Sequence, residues 1–177
     1  MSEELSPRQL EKEGKSSYAR ADYSSAAKAF AEAAAAYSVQ AEPLMAAEMK
    51  NNQSVALLQS RQASAALEAM TGTEAVFAAA GDNRRQGMAL ANQAAALEAL
   101  QRRDEALAGY QTSAEILEKA GEADLRAEVL RTLARLQARG GKMTEAVISM
   151  QSGLMGVEKP TLKQRILKKL LFLRLWR

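Results

Sequence analysis

Apolar and polar residues follow one another along this chain with the spacing of amphipathic helices. Ala26, Phe30, Ala33 and Tyr37 lie three or four positions apart and form one stripe of a helix with about 3.6 residues per turn. The unit that the rest of the chain repeats runs from residue 49 to residue 81, where a helix, a tight turn and a second helix follow one another. The pattern therefore predicts helical hairpins.

Turn residues divide the chain into four such hairpins. The predicted helices span about residues 8–21 and 24–41, 43–60 and 63–79, 83–100 and 104–119, and 123–138 and 142–156. Pro43 suits a first helical turn. The doublets Gly81-Asp82 and Gly121-Glu122 are typical of a helix end followed by an acidic helix start, and Gly140-Gly141 separates the last two helices.

Residue size repeats every 40 positions in four registers. Small residues recur at Gly14, Ser54, Ala94 and Ala134, at Ala26, Ala66, Ala106 and Ala146, and at Ala33, Thr73, Ser113 and Gly153, and large ones recur at Phe30, Met70, Tyr110 and Met150. A fixed period of this length is typical of stacked-repeat proteins. We expect the small residues to allow close helix contact and the large residue one turn later to fill the space beside it, so a bulky replacement should cost about 1–3 kcal/mol.

This spacing of small residue, alanine, aromatic residue and alanine resembles the tetratricopeptide repeat (TPR) family over about residues 7–157. The third repeat matches best, at Ala94, Leu97, Ala106, Tyr110 and Ser113. The period of 40 resembles the longer-helix variant found in kinesin light chains and many bacterial regulators. The chain departs from the family at Ser38, Ala78 and Glu118, where a closing proline is common, and at Lys50 and Gln53, where apolar residues are expected.

The resemblance implies an all-α fold, a right-handed α-solenoid of four TPR-like hairpins with a C-terminal helix. Residues 1–6 are expected to be loose. Residues 7–158 are expected to form the solenoid, with repeats at about 7–42, 43–82, 83–122 and 123–158, and residues 159–177 are expected to form a basic, apolar C-terminal helix.

TPR proteins mostly bind peptides or helices in a concave groove lined by the first helix of each pair. In the family an asparagine near the middle of that helix often holds a peptide backbone, and Asn52 and Asn92 match this position, with Asn51 beside the first. A side-chain amide both donates and accepts hydrogen bonds, which suits a peptide backbone. The alternative is that these asparagines are simply solvated.

Basic residues flank the predicted groove at both ends. Lys12 and Lys15 lie in the first repeat, and Arg131, Arg135 and Arg139 form one ridge in the fourth. The ridge could bind an acidic partner segment, pair internally with Glu128, or be a solvated face. The family's carboxylate clamp for chaperone C-termini is not predicted, because among the positions it requires only Asn52 fits, while Glu11, Met88 and Asn92 do not.

Composition narrows the function classes. Apolar residues make up 47% of the 177 residues, charged residues 25%, and the chain has no Cys and no His. The usual ligands of zinc, haem and iron–sulfur clusters are therefore missing, and no metal or cofactor is predicted. No stretch has the roughly 20 apolar residues of a membrane span, and the N-terminus does not resemble a secretory signal. We expect a cytoplasmic protein.

The last segment has a different charge from the rest. Residues 1–158 hold 17 basic and 21 acidic residues, whereas residues 159–177 hold seven basic residues and no acid. Apolar and basic residues share this segment, including Lys168, Lys169, Leu170, Phe172, Leu173 and Trp176. Three alternatives stay open: a helix capping the last repeat, a helix docking on a partner or a second copy, and a helix lying on an anionic membrane surface.

Enzymatic function is not predicted. General bases and thiol nucleophiles of the usual kind are missing, Gly140-Gly141-Lys142 lacks the spacing of a phosphate loop, and Glu98, Asp104 and Glu105 read as solvated carboxylates. Few aromatic residues are available to stack on bases, so nucleic acid is not an expected partner. We expect a scaffold or adaptor that binds a partner peptide or helix in the groove, and the alternative is a peripheral membrane adaptor or assembly factor anchored by the C-terminal helix.

Overall fold

The structure, a computed structural model, describes residues 5–155, and within this range the chain is all helical. Its helices are α1 (Pro7–Ala19), α2 (Tyr23–Val39), α3 (Pro43–Gln59), α4 (Ala63–Ala69), α5 (Thr73–Ala79), α6 (Asn83–Ala99), α7 (Arg103–Lys119), α8 (Ala123–Arg139) and α9 (Met143–Met155). Consecutive helices pack on each other except α4 and α5, which both pack on α3 and α6, so the described residues form an all-α, solenoid-like repeat. This confirms the predicted fold class.

Local capping explains where several helices begin. Ser6 caps α1: its side chain accepts from the backbone N–H of Gln9, and the Gln9 side chain accepts from the backbone N–H of Ser6 at 2.8 Å. Two donors that a helix start leaves free are thereby satisfied. Asp82 caps α6 in a related way, accepting from the backbone N–H of Arg85 at 2.8 Å.

Residues with a left-handed backbone conformation recur every 20 positions along the chain. Positive φ angles occur at Ala21, Ala41, Arg61, Gly81, Gln101, Gly121 and Gly141, each in the turn between two helices. Glycine adopts this conformation without the steric cost that a Cβ brings. The glycine doublets identified three of these turns in the sequence, while the other four carry residues that give no local sign of a left-handed conformation.

Replacing Ala41 with glycine is expected to stabilise the fold by about 0.5–1 kcal/mol. Its φ is 56°, a backbone conformation that costs a non-glycine residue about 1–2 kcal/mol. Glycine avoids this cost, and its greater conformational freedom in the unfolded chain offsets only part of the gain. Urea unfolding followed by circular dichroism measures the change. The matched control is Ala35→Gly, at an exposed position inside α2, where a loss of about 1 kcal/mol is expected. Destabilisation by Ala41→Gly would contradict the prediction.

The second helix of the second hairpin is broken, which corrects the prediction of one helix over residues 63–79. α4 ends before Met70 and α5 begins at Thr73, with Gly72 at a φ of 79° between them. The Thr73 hydroxyl donates to the Met70 carbonyl at 2.8 Å. The Thr71–Thr73 stretch disfavours a continuous helix because two threonines, whose hydroxyls compete for backbone carbonyls, flank a glycine.

The size registers correspond to packing. The members at Gly14, Ser54, Ala94 and Ala134 are all buried, as are Phe30, Met70 and Tyr110. A methyl group added at Gly14 would lie 2.7 Å from Cδ1 and Cε1 of Phe30, and the Ser54 hydroxyl lies 3.3 Å from Sδ of Met70. Small and large residues 16 positions apart therefore meet within each of the first two hairpins. Met150 is only half-buried, on the last described helix.

Buried apolar residues form two large clusters and a separate small one. One cluster is centred on α1–α4 and the other on α6–α8. The small cluster contains Ala47 from α3, Phe77 from α5 and Ala89 from α6. Arg85 lies over the Phe77 ring at 5.3 Å and also contacts Asp82 at 2.6 Å and Glu48 at 3.0 Å. Apolar packing and charge therefore tie the second hairpin to the third in the same place.

Candidate functional site

Hollows lie between the first helices of successive hairpins, and residues of the second helices form their floors. The hollow between α1 and α3 has a volume of about 250 Å³ and is lined by Lys15, Tyr18, Phe30, Asn52 and Val55. Phe30 comes from α2 and belongs to the large register. Its counterpart 80 residues later, Tyr110 of α7, lines the hollows between α6 and α8.

Two adjoining hollows between α6 and α8 share Ala95 and Tyr110, and together we call them the α6–α8 groove. One, of about 280 Å³, is lined by Met88, Ala91, Asn92, Ala95, Tyr110, Leu117, Leu125, Glu128, Val129 and Thr132. The other, of about 510 Å³, is lined by Ala95, Glu98, Ala99, Gln101, Arg103, Tyr110, Arg135, Leu136 and Arg139. The first is mainly apolar and the second carries most of the charge.

Glu98 is the central polar residue of the larger hollow. Its carboxylate accepts from the Tyr110 hydroxyl at 3.1 Å and from Arg139 at 3.3 Å, and its side chain is only 20% exposed. Burial, with Glu98 beside it, raises the pKa of Tyr110, so the phenol keeps its proton and remains a donor. The expectation that Glu98 is a plainly solvated carboxylate was wrong, because Tyr110 and Arg139 both pack against it.

A register comparison could have identified Glu98. The positions 40 and 80 residues before it and 40 after it hold Leu58, Tyr18 and Ala138. A carboxylate in a register that is otherwise apolar or aromatic indicates a specific partner, since a half-buried charge needs one. Tyr110, already known as a register residue, is that partner.

The three predicted asparagines lie in two different parts of the surface. Asn92 donates from Nδ2 to Oδ1 of Asn51 at 3.0 Å, which links α6 to α3. Asn52 lines the α1–α3 hollow beside Lys15 instead. This one bond uses a donor of Asn92 and an acceptor of Asn51, and each amide keeps further hydrogen-bonding capacity.

The predicted basic residues differ in their partners. Lys15 pairs with Glu11, whose pKa is held below its ordinary value chiefly by the hydrogen bond from Lys15. Lys12 is exposed. Arg131 lies 3.8 Å from Glu128, the internal pair that the sequence allowed, and both side chains are largely exposed. Such a pair contributes little to stability.

Arg135 differs from its neighbours on the ridge. It lines the larger hollow and is exposed, and it makes no ion pair or hydrogen bond to any other residue within residues 5–155. Arg103, at the start of α7, also lines that hollow and donates to the backbone carbonyl of Leu136 at 2.6 Å. The ridge therefore contributes one cation, Arg139, that is paired with Glu98, and one, Arg135, that lines the groove with no ion pair or hydrogen bond to another described residue.

The remaining predictions concern metal ions, membrane-spanning helices and the C-terminal segment. Over the described range, no group of acidic side chains is arranged to hold a metal ion, and no helix is long and apolar enough to cross a membrane. The predicted docking or membrane residues Lys168, Lys169, Leu170, Phe172, Leu173 and Trp176 lie outside the described residues.

Among known proteins, no family model and no curated protein matches this chain. Membership of the TPR family therefore stays a prediction that follows from the registers.

Proposed function

We propose that this chain is a non-enzymatic binding scaffold that holds an extended segment of a protein partner along the first helices of its TPR-like hairpins. The observation that carries the proposal is the α6–α8 groove, which joins an apolar hollow to a charged one without closing over either. Such a surface can take up several side chains of one segment in succession.

The polar groups along these helices suit a peptide better than a reacting substrate. Asn51, Asn52 and Asn92 have amide donor and acceptor positions that no residue in 5–155 occupies, and these can pair with peptide N–H and C=O groups. Glu98 is engaged by Tyr110 and Arg139, which holds it in place as part of the groove wall. These contacts support recognition, and the proposal assigns no catalytic step to them.

A peptide selection with matched blocking variants tests the proposal. A library of random dodecamer peptides displayed on phage is selected against the full chain, and the binders are measured against Ala95→Trp and Ala108→Trp. Ala95 is common to both hollows, whereas Ala108 is exposed on α7 and lines neither. We expect Ala95→Trp to weaken binding about tenfold or more and Ala108→Trp to leave it unchanged.

Circular dichroism of both variants separates a blocked groove from a damaged fold. If the full chain selects no related peptides, or if Ala95→Trp binds them as well as Ala108→Trp does, the groove is not the binding surface and the proposal is wrong.

A further inference from the structure

Positive charge is in excess in the larger hollow of the α6–α8 groove. Three arginines, Arg103, Arg135 and Arg139, line it together with one acid, Glu98. Glu98 already accepts from Tyr110 and Arg139. The hollow therefore attracts a further carboxylate rather than a further cation.

Arg135 is the residue placed to receive that carboxylate. Arg103 is held by the Leu136 carbonyl and Arg139 by Glu98, but the Arg135 guanidinium has all its donors free of other residues in the described range. A guanidinium can bind a carboxylate through two parallel hydrogen bonds, which are stronger than bonds between neutral groups.

The adjoining hollow selects a different kind of side chain. Met88, Ala91, Leu125 and Val129 give it a mainly apolar lining. Val129 and Arg135 are six positions apart on α8, which corresponds to about 9 Å along the helix axis. An extended peptide covers this distance in two or three residues, at about 3.3 Å per residue.

We infer that the α6–α8 groove recognises an acidic side chain in an extended protein segment, with an apolar side chain two or three positions away. Arg135 binds the carboxylate and the hollow beside Val129 takes the apolar group. The inference rests on the proposed function and adds the chemistry of the partner.

The hollow between α1 and α3 lacks this preference. Its cation, Lys15, is paired with Glu11 along its own helix, and its other polar lining groups are the amide of Asn52 and the hydroxyl of Tyr18. The acidic side chain should therefore bind between α6 and α8 rather than between α1 and α3. The effect of replacing Arg135 should depend on its position and can be distinguished from a general effect of net charge.

The same phage selection tests the inference through the amino-acid sequences of the selected peptides. We expect most groove-dependent dodecamers to carry Asp or Glu two or three positions from an aliphatic or aromatic residue. One such peptide is then synthesised, with its acid and with the matching amide, and titrated by calorimetry against the full chain and its Arg135→Gln and Arg131→Gln variants. Arg131 is the matched control, since it lies one turn earlier on α8 and already contacts Glu128.

The expected result is a double-mutant cycle in which the affinities of the acidic and amide peptides are compared for the unaltered chain and for Arg135→Gln. Arg135→Gln should weaken binding of the acidic peptide about 10- to 100-fold. The amide peptide should bind the unaltered chain more weakly than the acidic peptide does, by a similar factor. For Arg135→Gln the acid and the amide should bind alike. Added salt should weaken the acidic peptide more than the amide peptide, because the contact is partly exposed.

Two results would overturn the inference while leaving the proposed function intact: groove-dependent peptides without the acidic residue, and equal losses from Arg131→Gln and Arg135→Gln. A selection with no peptide sensitive to Ala95→Trp would instead reject the proposed function itself.

Discussion

Replacing Phe77 with alanine is expected to lower the free energy of unfolding by about 3–5 kcal/mol. The ring is 1% exposed and is the largest member of the cluster that joins α3, α5 and α6. The substitution leaves a cavity that the backbones of three helices cannot close, and it also removes the face on which Arg85 stacks at 5.3 Å.

The same substitution is expected to make unfolding less cooperative. In a solenoid each repeat is stabilised by its neighbours, so a weakened interface lets the two sides unfold at different denaturant concentrations. Calorimetry and urea unfolding followed by circular dichroism measure both effects. Val39→Ala, at a side chain that is 88% exposed, is the control and should change the free energy of unfolding by less than about 0.5 kcal/mol. A loss below about 1 kcal/mol for Phe77→Ala would show that this cluster does not hold the hairpins together.

Gly14→Ala is expected to destabilise the protein by about 1–3 kcal/mol, although alanine is the better helix former by about 1 kcal/mol. Tertiary contact decides the sign. The added methyl group would lie 2.7 Å from two ring atoms of Phe30, and that ring is 3% exposed and packed among the residues of the first cluster. The ring has little room to move away.

A double-mutant cycle with Phe30→Leu tests the contact directly. Leucine removes part of the ring that the methyl group meets, so the double variant should be more stable than the two separate losses predict, by about 1 kcal/mol or more. Glu13→Ala, at the exposed neighbouring position, should be additive with Phe30→Leu. Additivity of Gly14→Ala with Phe30→Leu would contradict the predicted pairing of small and large registers.

Periodicity in the chain was enough to predict most of the architecture. The helices, their order and the buried members of the size registers follow from spacings of three, four and 40 residues, because burial of a helix face selects residue size at those intervals. The broken helix shows the limit of this reasoning. Residues 63–79 keep the length of the regular 17-residue helices, and only Gly72 and its threonines end α4 and start α5.

The candidate site could be predicted only in part. Positions on the first helices predict Asn51, Asn92, Arg135 and Arg139 as groove residues, and the last three of these line the α6–α8 groove. Their partners are not predicted, since a spacing of 40 residues places two side chains on neighbouring helices without saying which rotamers meet. Asn92 bonds to Asn51 and lines the smaller hollow of the α6–α8 groove, whereas Asn52 lines the hollow between α1 and α3.

The sequence by itself determined that this protein is a stack of helical hairpins, because helix propensity, turn residues and residue size are read locally along the chain. Tertiary structure alone decided that Ala21, Ala41, Arg61 and Gln101 adopt left-handed turns and that Glu98 is held by Tyr110 and Arg139. It also decided that Arg135 faces the groove without a partner in the described part of the chain. The physical reason is that burial and charge pairing depend on distances between helices, and these arise only when the hairpins pack together.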